Sequence, residues 1–517
     1  MKNKLHLLTL AVAITLANAA QAQIQGPSSS ATPYVTTSLP GVTVTSILTV
    51  GDSVNLKPDN ITPYRMVGIP DGMGAYDNGN GTFTVLLNHE LGNAVGITRA
   101  HGSIGSFVSK WIINKSNFSV VSGSDLIQNV ATWNTGTSSY NAPTTGINIG
   151  RLCSADLAPV SAYYNSLTGK GTQNLIFQSG EEVGAEGRQF AHIVTGAAAG
   201  TSYELPRLGK FSWENGVANF GTGDKTIVLG TDDSTPGQVY LYIGDKQFTG
   251  NDIERAGLTN GGLYGIKVAT TNADRFENRT TGFDGVAGNE DTQSFTLHNL
   301  GNVENTTGAL LQTTSAANNV TEFLRPEDIA WSLTDPTKAY FVTTDRFDTG
   351  VTVGASRLYE LDFTNASDFT LGGSLKMLIE GTGAANGQMF DNMTVTLDGK
   401  IIIQEDPGNQ AYLAKTWSYD IATDTLTELL VSDSARFATP TAPFSQDEES
   451  SGVIDISAII GDGNTYYLGN MQAHYSLGGE LVEGGQLYVV TVVPEPTTAI
   501  SLLGGIGMLL GFRRRRA

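Results

Sequence analysis

The sequence has a single cysteine, Cys153, so no disulfide can form within the chain. Its body contains no Gly-x-Ser-x-Gly segment, which removes the usual signature of a serine-hydrolase nucleophile. Few stretches show the 3.6-residue hydrophobic period of amphipathic helices, which argues against a helix-rich fold. Stability must therefore come from burial of a core and from any bound metal. Cys153 itself is then either buried and inert or a metal ligand.

Basic residues are also scarce. The chain has 30 Lys and Arg against 50 Asp and Glu, and its formal net charge is −20. Such a surface repels nucleic acid and anionic membranes, so neither is expected as a partner. It suits calcium, whose ligands are carboxylate and carbonyl oxygens. Solubility outside the cell would explain much of the same charge.

Residues 1–22 have the three parts of a secretory signal peptide. Lys2 and Lys4 precede the apolar run Leu5–Leu16, and Ala20-Gln21-Ala22 is a small-x-small cleavage site. We therefore expect export, cleavage by signal peptidase and a mature chain that begins near Gln23. A membrane anchor is the alternative, but the apolar run is short for a bilayer core of roughly 30 Å.

Residues 494–517 combine a proline-containing turn, an apolar run and a basic cluster. Pro494, Glu495 and Pro496 precede the run Ala499–Phe512, and Arg513–Arg516 would stay on the cytoplasmic side. This order resembles the PEP-CTERM sorting signal. The resemblance implies transient membrane anchoring by a C-terminal helix and cleavage near Pro494–Pro496 by an exosortase-type protease. It also implies delivery to the outer surface or extracellular matrix of a Gram-negative-type bacterium. A plain tail anchor is the alternative.

Between these ends the sequence predicts an all-β protein. Residues 23–45 are rich in Ser, Thr and Pro and are expected to form a flexible lead-in segment, followed by one domain over residues 46–493. The 61 glycines and the short β-prone runs favour strands and turns. A domain of about 450 residues is large for a sandwich but suits a propeller, which grows by radial repetition.

A weak repeat of six units supports a six-bladed β-propeller. In each unit a short β run ends in an acidic or His-bearing tip, and a second β run follows. If each unit is one blade, the tips lie on one face around the central channel. The six pairs of runs are 82–90 and 107–113, 174–182 and 190–195, 226–233 and 238–243, 339–345 and 357–363, 400–406 and 416–421, and 465–474 and 486–492.

Three of the tips carry paired acids, Glu181-Glu182, Asp232-Asp233 and Glu405-Asp406. Carboxylates that converge repel one another unless cations neutralise them, so this face is predicted to bind metal. The alternative is that acids follow strands because turns favour Asp and Asn. Among the histidines, His89 at the first tip is the best candidate for substrate contact, whereas His192 is expected to be structural.

Arg325-Pro326-Glu327-Asp328 is the candidate anion-binding motif. On an extended segment Arg325 and Glu327 share a face, which could present a guanidinium to phosphate beside a carboxylate on a metal. The alternative is a local salt bridge. Two further segments, Asp447–Asp455 and Gln472–His474, could contact metal or substrate, and Asp447–Glu449 could instead form a solvated loop.

From about residue 80 to residue 490, five segments in this order resemble the PhoX-type alkaline phosphatases. The resemblance implies a six-bladed propeller with calcium and iron on one face, and hydrolysis of phosphate monoesters at alkaline pH. The segments are 180–182, 208–214, 231–240, 325–328 and 391–408.

Site residues follow from the resemblance motif by motif. It implies that Arg325 binds phosphate and that Cys153 and Glu327 are metal ligands, with Cys153 on iron. Other ligand candidates in the matching acidic motifs are Glu182, Glu214, Asp233 and Glu405, and the choice within each acidic pair stays open.

Two alternatives to a phosphatase remain at this stage. One is a non-catalytic, calcium-stabilised surface propeller that binds extracellular polysaccharide or a matrix partner. The other is a different propeller hydrolase, phytase-like or lactonase-like, because propellers host many functions.

Overall fold

A computed structural model describes residues 22–269, 276–278, 282–283, 286, 292–345, 356–381, 383, 385–408, 412–437, 444 and 447–493. The predicted signal peptide up to residue 21 lies outside the described residues. So does the predicted sorting segment with Pro494, Glu495 and Pro496. Within the described part, no helix has the length and apolar character needed to cross a bilayer.

Strands make up most of the described structure, which confirms the all-β class. The first strands are β1 (Ala22–Gln25), β2 (Val35–Thr36), β3 (Val42–Thr49), β4 (Ser53–Leu56), β5 (Pro63–Arg65), β6 (Pro70–Asp77), β7 (Thr82–His89), β8 (Phe107–Asn114), β9 (Val120–Asp125), β10 (Asn129–Ala131), β11 (Trp133–Asn134), β12 (Ser139–Tyr140), β13 (Leu152–Asp156), β14 (Tyr164–Asn165), β15 (Lys170–Gly171), β16 (Ile176–Glu181), β17 (Gln189–Ile193) and β18 (Thr201–Glu204). The remaining strands are β19 (Trp213–Ala218), β20 (Lys225–Asp232), β21 (Val239–Asp245), β22 (Gly262–Val268), β23 (Thr292–Gly301), β24 (Pro326–Trp331), β25 (Lys338–Thr343), β26 (Ser356–Phe363), β27 (Gly373–Gly381), β28 (Phe390–Val395), β29 (Lys400–Glu405), β30 (Lys415–Asp420), β31 (Thr425–Ser432), β32 (Glu449–Asp455), β33 (Thr465–Gly478) and β34 (Val482–Val492).

Helices are few and short in the described residues. They are α1 (Val160–Tyr163), α2 (Asp252–Arg255), α3 (Gly308–Ala317), α4 (Ser434–Phe437) and α5 (Ser457–Ile460). Two 3₁₀ turns, Pro206–Leu208 and Phe369–Leu371, lie beside strands.

The larger sheets share one plan, in which strands run antiparallel from an inner strand outward, except that the outermost strands β10 and β1 pair in parallel with their neighbours. Their orders are β6-β7-β8-β9, β13-β16-β17-β18-β10, β28-β29-β30-β31-β2 and β32-β33-β34-β3-β1. A nine-stranded sheet, β19-β20-β21-β22-β23-β27-β26-β25-β24, contains two such arrangements joined through β23. The six predicted pairs of β runs are present as β7/β8, β16/β17, β20/β21, β25/β26, β29/β30 and β33/β34.

The inner strands contact one another in a ring. β6 contacts β13, β13 contacts β19, β19 contacts β24, β24 contacts β28, β28 contacts β32, and β32 contacts β6. Five apolar clusters each draw side chains from two neighbouring sheets, and a sixth packs the two halves of the nine-stranded sheet against each other. One joins Tyr163 and Ile176 to Trp213 and Tyr240, and another joins the sheet of β7 to that of β34. Burial of these side chains between sheets is the main stabilising term of the ring.

Glycines allow the inner strands to approach closely. A Cβ on Gly72 of β6 would lie 2.3 Å from the backbone nitrogen of Ala155 in β13. A Cβ on Gly452 of β32, at φ +68°, would lie 2.5 Å from the carbonyl oxygen of Asp71. Larger residues at either position would push neighbouring inner strands apart.

The N-terminal segment differs from the expectation of a flexible lead-in. β3 pairs along its length with the last strand, β34, from Val42 opposite Val492 to Thr49 opposite Gln486. β1 adds in parallel to β3, and β2 pairs with β31 of the neighbouring sheet. The segment is rich in Ser, Thr and Pro, but Val35 and Val44 bury their side chains and the backbone completes two sheets. The first and last parts of the described chain therefore close the ring.

Val44→Lys tests this closure. Val44 is 1% exposed and lies opposite Val490. A lysine there would bury a charge between β3 and its neighbours, so we expect a loss of about 3 kcal/mol or more in the free energy of unfolding. Thr43→Lys, on the half-buried opposite face of β3, is the control and should change little. Equal, small effects in urea unfolding would contradict the closure by β3.

Candidate metal centre

Five inner strands place an Asp, Cys or Glu at the same position, which is the second residue of the strand and lies within a register irregularity. In the sixth inner strand, β32, the candidate ligand is the first residue, Glu449, and the irregularity follows between Ser451 and Val453. Five of these side chains are buried and Glu449 is half-buried. They are Asp71 of β6, Cys153 of β13, Glu214 of β19, Glu327 of β24, Asp391 of β28 and Glu449 of β32.

A second tier of acids directly follows the second strand of four sheets. They are Glu90 after β7, Glu182 after β16, Asp233 after β20 and Asp406 after β29. One backbone hydrogen bond recurs at these positions. The amide nitrogen donates to the carbonyl oxygen of the residue that stands two before the inner-strand ligand. The pairs are Glu90 to Ile69, Glu182 to Arg151, Asp233 to Ser212, Thr344 to Arg325 and Asp406 to Met389, at 2.8–3.1 Å.

The six inner-strand residues, together with Glu90 and Asp406, form three groups that could each hold a metal ion. Within each group the ligand atoms lie within 4.8 Å of one another. The first group is Asp71, Glu90 and Cys153, and all three side chains are buried. The other two groups share one carboxylate. They are Glu214 with Glu327 and Asp391, and Asp391 with Asp406 and Glu449.

The electrostatics of the groups favour a bound cation. Burial, followed by the charges of neighbouring carboxylates, raises the pKa values of Asp71, Glu214 and Asp391 well above their usual range. Burial and the Glu449 charge raise the pKa of Asp406 to about 7. Burial and the Asp71 charge likewise raise the pKa of the Cys153 thiol. Cations placed among these groups would stabilise their ionised forms.

Two buried carboxylate oxygens point to a ligand. Within the described residues, Oε1 of Glu214 and Oε2 of Glu327 have no hydrogen-bond partner, although both side chains are almost fully buried. Leaving such atoms unpaired is costly, and a metal ion would satisfy them. The residues present therefore fit a metal, because both atoms belong to the same all-oxygen group.

The donor atoms differ between the groups. Glu214, Glu327 and Asp391 offer hard oxygens, which suit calcium. The first group adds the Sγ of Cys153, which lies 3.5 Å from Oδ2 of Asp71, and thiolate favours a transition metal. Gln472 orients this group, since its Nε2 donates to Asp71 Oδ2 at 3.1 Å and to Glu90 Oε2 at 3.0 Å.

Arg325 lies directly beside the second group. Its guanidinium donates through Nε and Nη2 to the two carboxylate oxygens of Asp233, at 2.7 and 3.1 Å. Nε also lies 3.0 Å from Oε1 of Glu327. The side chain is 19% exposed, and its φ of +60° turns it from the strand start toward the centre. The expected pairing of an arginine fork with Glu327 is therefore present.

A cationic histidine lies beside the third group. His474 Nδ1 is 2.8 Å from Oε2 of Glu483, and Nε2 is 3.6 Å from Oε2 of Glu449. Burial opposes protonation, but hydrogen bonds to these carboxylates and their charges outweigh it and raise the pKa of His474 to about 11. The histidine therefore keeps its positive charge at neutral and mildly alkaline pH.

Polar side chains form the floor under the groups. Asn215 Nδ2 donates to Asp328 Oδ1 at 2.6 Å, and Asn392 Nδ2 donates to Ser154 Oγ at 2.6 Å. Asp328 also accepts from the backbone amide of Met393 at 2.9 Å. The two bonds to Asp328 tie neighbouring inner strands together, whereas the bond between Asn392 and Ser154 joins β28 to β13 across the ring. Together they hold the ligands in place.

The structure brings most of the sequence-predicted residues together. Cys153, Glu214 and Glu327 belong to the groups, and Arg325 lies beside them. Glu182 and Asp233 lie on the rim, where they bind Arg151 and Arg325. Of the predicted residues, His89 and Glu405 are placed elsewhere.

His89 lies in the core and not at the site. Its side chain is fully buried, stacks on Phe107 with ring centroids 4.4 Å apart, and bonds to Ser109 Oγ and the Gly68 carbonyl. Burial lowers its pKa to about 3. The next residue, Glu90, reaches the metal group because neighbouring side chains at a strand end point to opposite sides.

The same alternation separates the members of each acidic pair. Glu405 accepts from Trp417 Nε1 at 2.8 Å and from the amides of Gln388 and Lys415, whereas Asp406 joins the third group. Glu181 and Asp232 similarly bond away from the groups. Arg188 binds Glu181, while Ser234 and the Ser212 amide bind Asp232. In all three pairs it is the second acid that faces the centre.

Sequence reasoning did not propose Asp71, Glu90 or Asp391 as ligands. Asp406 was the open alternative to Glu405, and Glu449 lies in the segment Asp447–Asp455, for which metal or substrate contact was considered. Two patterns in the sequence could have indicated Asp71 and Asp406 as ligands. Pro70-Asp71 repeats the pattern of Pro326-Glu327 at a strand start, and taking the second acid of every pair would have selected Asp406.

The part of the chain that matches a known family contains most of the candidate ligands. A family model described as alkaline phosphatase PhoX matches residues 197–468. None of the curated proteins compared with the chain by sequence matches it.

The fold was also compared with solved structures. PhoX of Pseudomonas fluorescens, in complex with vanadate, covers 88% of this chain and 95% of its own, with a TM-score of 0.63 and 11% identity. At that identity the match shows the fold alone. The β-propeller domain of the trilobed protease of Pyrococcus furiosus covers 81% of this chain and 94% of its own, at 8% identity and a TM-score of 0.29. An α-L-arabinofuranosidase of Podospora anserina covers 86% and 95%, at 9% identity and a TM-score of 0.30.

Asp406→Asn tests the third group. We expect the rise in melting temperature produced by calcium to shrink by a few degrees, because about a tenfold loss of affinity removes ~1.4 kcal/mol of ligand-linked stability. Glu405→Gln, one residue earlier, is the matched control. It should lower the melting temperature by the same amount with and without calcium, since Glu405 lies outside the groups. An unchanged calcium effect in Asp406→Asn would exclude Asp406 as a ligand.

The raised pKa values also predict how the stability of metal-free protein depends on pH. The folded pKa values of Asp71, Glu214, Asp391 and Asp406 lie above the unfolded values near 4. The folded state therefore holds more protons. The contribution of Asp406 to the free energy of unfolding is fully present below about pH 4 and is lost as the pH rises through about 7. Urea unfolding after chelation should show this decline, and calcium should reverse it. A rise in stability over the same interval would contradict the clustering.

Proposed function

The chain belongs to the PhoX alkaline phosphatase family, and on this basis we propose that it is an exported, metal-dependent enzyme that hydrolyses phosphate monoesters. One observation carries the proposal. Of three groups of side chains that could hold metal, the group of Glu214, Glu327 and Asp391 has two unpartnered buried carboxylate oxygens among the described residues and lies beside the guanidinium of Arg325. This arrangement combines sites for cations with a fork for a phosphoryl group.

The scaffold is interpreted as a six-bladed β-propeller. The ring of six inner strands and the antiparallel strands that extend from each support this interpretation. In such a fold the second tier of acids lies at one mouth of the central channel, where a substrate can approach from solvent.

Metal identities follow from donor chemistry. We assign calcium to the two all-oxygen groups, in which Glu214, Glu327, Asp391, Asp406 and Glu449 are the ligands. A thiolate with two carboxylates suits a transition metal better than calcium, so we assign a transition metal to Asp71, Glu90 and Cys153. Iron is the metal that the resemblance to PhoX implies there. When bound, such ions act as Lewis acids toward phosphoryl oxygens and activate water.

The chain's own residues position the phosphoryl group. Arg325 presents N–H donors on the side of the centre where Asp233 and Glu327 hold its guanidinium in place. The positive charge of a guanidinium held in this way can stabilise the negative charge that develops on phosphoryl oxygens. His474 lies beside the third group, where Glu483 and Glu449 raise the pKa of its imidazolium and favour a positive charge.

Processing of both ends completes the proposal. Signal peptidase would remove residues 1–22, and an exosortase-type protease would cut near Pro494–Pro496 after export. The catalytic chain would then act at the outer surface or in the extracellular matrix. Its substrates there would be phosphorylated small molecules, and its net charge disfavours nucleic acid.

Turnover of p-nitrophenyl phosphate by protein supplied with calcium and iron tests the reaction. We expect activity that rises into the alkaline range, because the ligand carboxyls with raised pKa values must ionise to hold metal. Absence of turnover from about pH 7 to 11 would rule out the phosphatase assignment. Elemental analysis of the same protein identifies the metals.

Arg325→Lys tests the phosphate-binding role. Lysine keeps the charge but lacks the fork, so we expect kcat/KM to fall by about 10²–10³ while the melting temperature of the metal-loaded protein changes little. Arg188→Lys is the matched control, since Arg188 forms a similar fork to buried Glu181 away from the metal groups. Parallel losses of activity and melting temperature in Arg325→Lys would make the arginine structural.

A further inference from the structure

A second arginine occupies the structural position of Arg325. Arg151 stands two residues before Cys153, as Arg325 stands two before Glu327, and both have positive φ, +30° and +60°. The carbonyl oxygen of each accepts the recurring backbone hydrogen bond, from Glu182 for Arg151 and from Thr344 for Arg325. The two residues are therefore equivalent members of strand starts β13 and β24.

Their side chains also make equivalent contacts. Each guanidinium reaches the acid that follows the second strand of the preceding set of antiparallel strands. For Arg325 that set is the other half of the nine-stranded sheet. Arg325 Nε lies 2.7 Å from Asp233 Oδ1, and Arg151 Nη2 lies 2.5 Å from Glu90 Oε1. Arg151 also donates through Nε to Oε2 of Glu182 at 3.1 Å. The repeat of the scaffold thus brings a second guanidinium to the rim of the metal centre.

The two arginines differ in depth. Arg325 is 19% exposed and contacts Glu327 on an inner strand. Arg151 is 47% exposed, and its carboxylate partners Glu90 and Glu182 both follow second strands on the rim. Arg325 is therefore placed for the group bound nearest the inner strands, and Arg151 for a group on the solvent side.

The charges around Arg151 show what it could bind. The rim carries Glu90, Glu182, Asp233 and Asp406, which would repel any further anionic group of a substrate. Within the described residues, the contacts of Arg151 to carboxylates use Nε and Nη2, and Nη1 offers two more N–H donors. A half-exposed guanidinium with remaining donors is suited to a carboxylate or a second phosphate.

We infer that Arg151 binds an additional anionic group of the substrate, so that the enzyme prefers phosphate monoesters with a further negative charge near the phosphate. The inference rests on the proposed phosphatase function and adds the substrate class to it. Arg325 holds the reacting phosphoryl group, and Arg151 holds the second anion on the solvent side.

A matched pair of substrates tests this preference. 3-Phosphoglycerate and glycerol 1-phosphate share a carbon skeleton and differ by a carboxylate in place of a hydroxymethyl group. We expect the metal-loaded protein to have the higher kcat/KM for 3-phosphoglycerate. Arg151→Gln should lower the ratio of the two values by about tenfold, because a charge-assisted hydrogen bond is lost. Arg151→Lys should lower the ratio less, since it keeps the charge.

Arg188→Gln is the control variant. Arg188 lies on the same sheet and binds the buried carboxylate of Glu181, but it faces away from the metal groups. The substrate ratio should not change in this variant, even if its melting temperature falls. A ratio that is unchanged in Arg151→Gln, or an unmodified protein without the preference, would overturn the inference. If Arg151→Gln does not fold, an unchanged ratio in Arg151→Lys has the same meaning.

A binding measurement separates this inference from the phosphatase proposal. Calorimetric titration of the calcium-loaded protein compares 2-carboxyethylphosphonate with propylphosphonate, which cannot be hydrolysed and differ by a carboxylate in place of a methyl group. Tighter binding of the carboxylate compound that disappears in Arg151→Gln supports the role of Arg151 even if no ester is turned over. Equal binding of both compounds overturns it, whatever the activity.

Discussion

Mutual repulsion among converging carboxylates is the constraint around which this protein is built. The inner strands bring Asp71, Glu214, Glu327 and Asp391 into a small buried space, where each raises the pKa of its neighbours. Burial between sheets, the closely approaching inner strands and the recurring backbone hydrogen bond hold the strands in this arrangement in spite of the repulsion. The centre is therefore a place where cations bind because the scaffold has already ordered their ligands.

The same scaffold position serves several purposes. Two residues before five of the six inner-strand ligands, the chain has Ile69, Arg151, Ser212, Arg325 and Met389. Their backbone role is shared, since each carbonyl oxygen accepts the same hydrogen bond, whereas their side chains differ. Arginine at two of these positions supplies cations of the protein beside those of the metals. Substitution at these positions can therefore change the side chains that face the metal groups without removing the backbone hydrogen bond that fixes the strand starts.

Cationic side chains and metal ions divide the acids between them. Arg325 and Arg151 bind the rim acids Asp233 and Glu182, while the inner-strand acids retain unpartnered oxygens among the described residues. Guanidinium is a directional hydrogen-bond donor and suits the planar recognition of phosphate or carboxylate, whereas buried oxygens at the ring axis need a compact ion. With the proposed function, the groups assigned to substrate binding would lie toward solvent and the proposed metals beneath them.

The sequence by itself determined the all-β class, the six pairs of β runs, the family resemblance and the ligand motif Arg325-Pro326-Glu327, because hydrophobic alternation and turn residues are local properties. It did not determine which acid of a pair faces the centre, and it favoured His89 over Glu90 and Glu405 over Asp406. Those choices depend on the register of each second strand against its inner strand, where a shift of one residue turns a side chain to the opposite face. Tertiary structure alone brought Asp71 and Glu449 to the centre and drew the lead-in segment into two sheets, since both depend on pairing between distant parts of the chain.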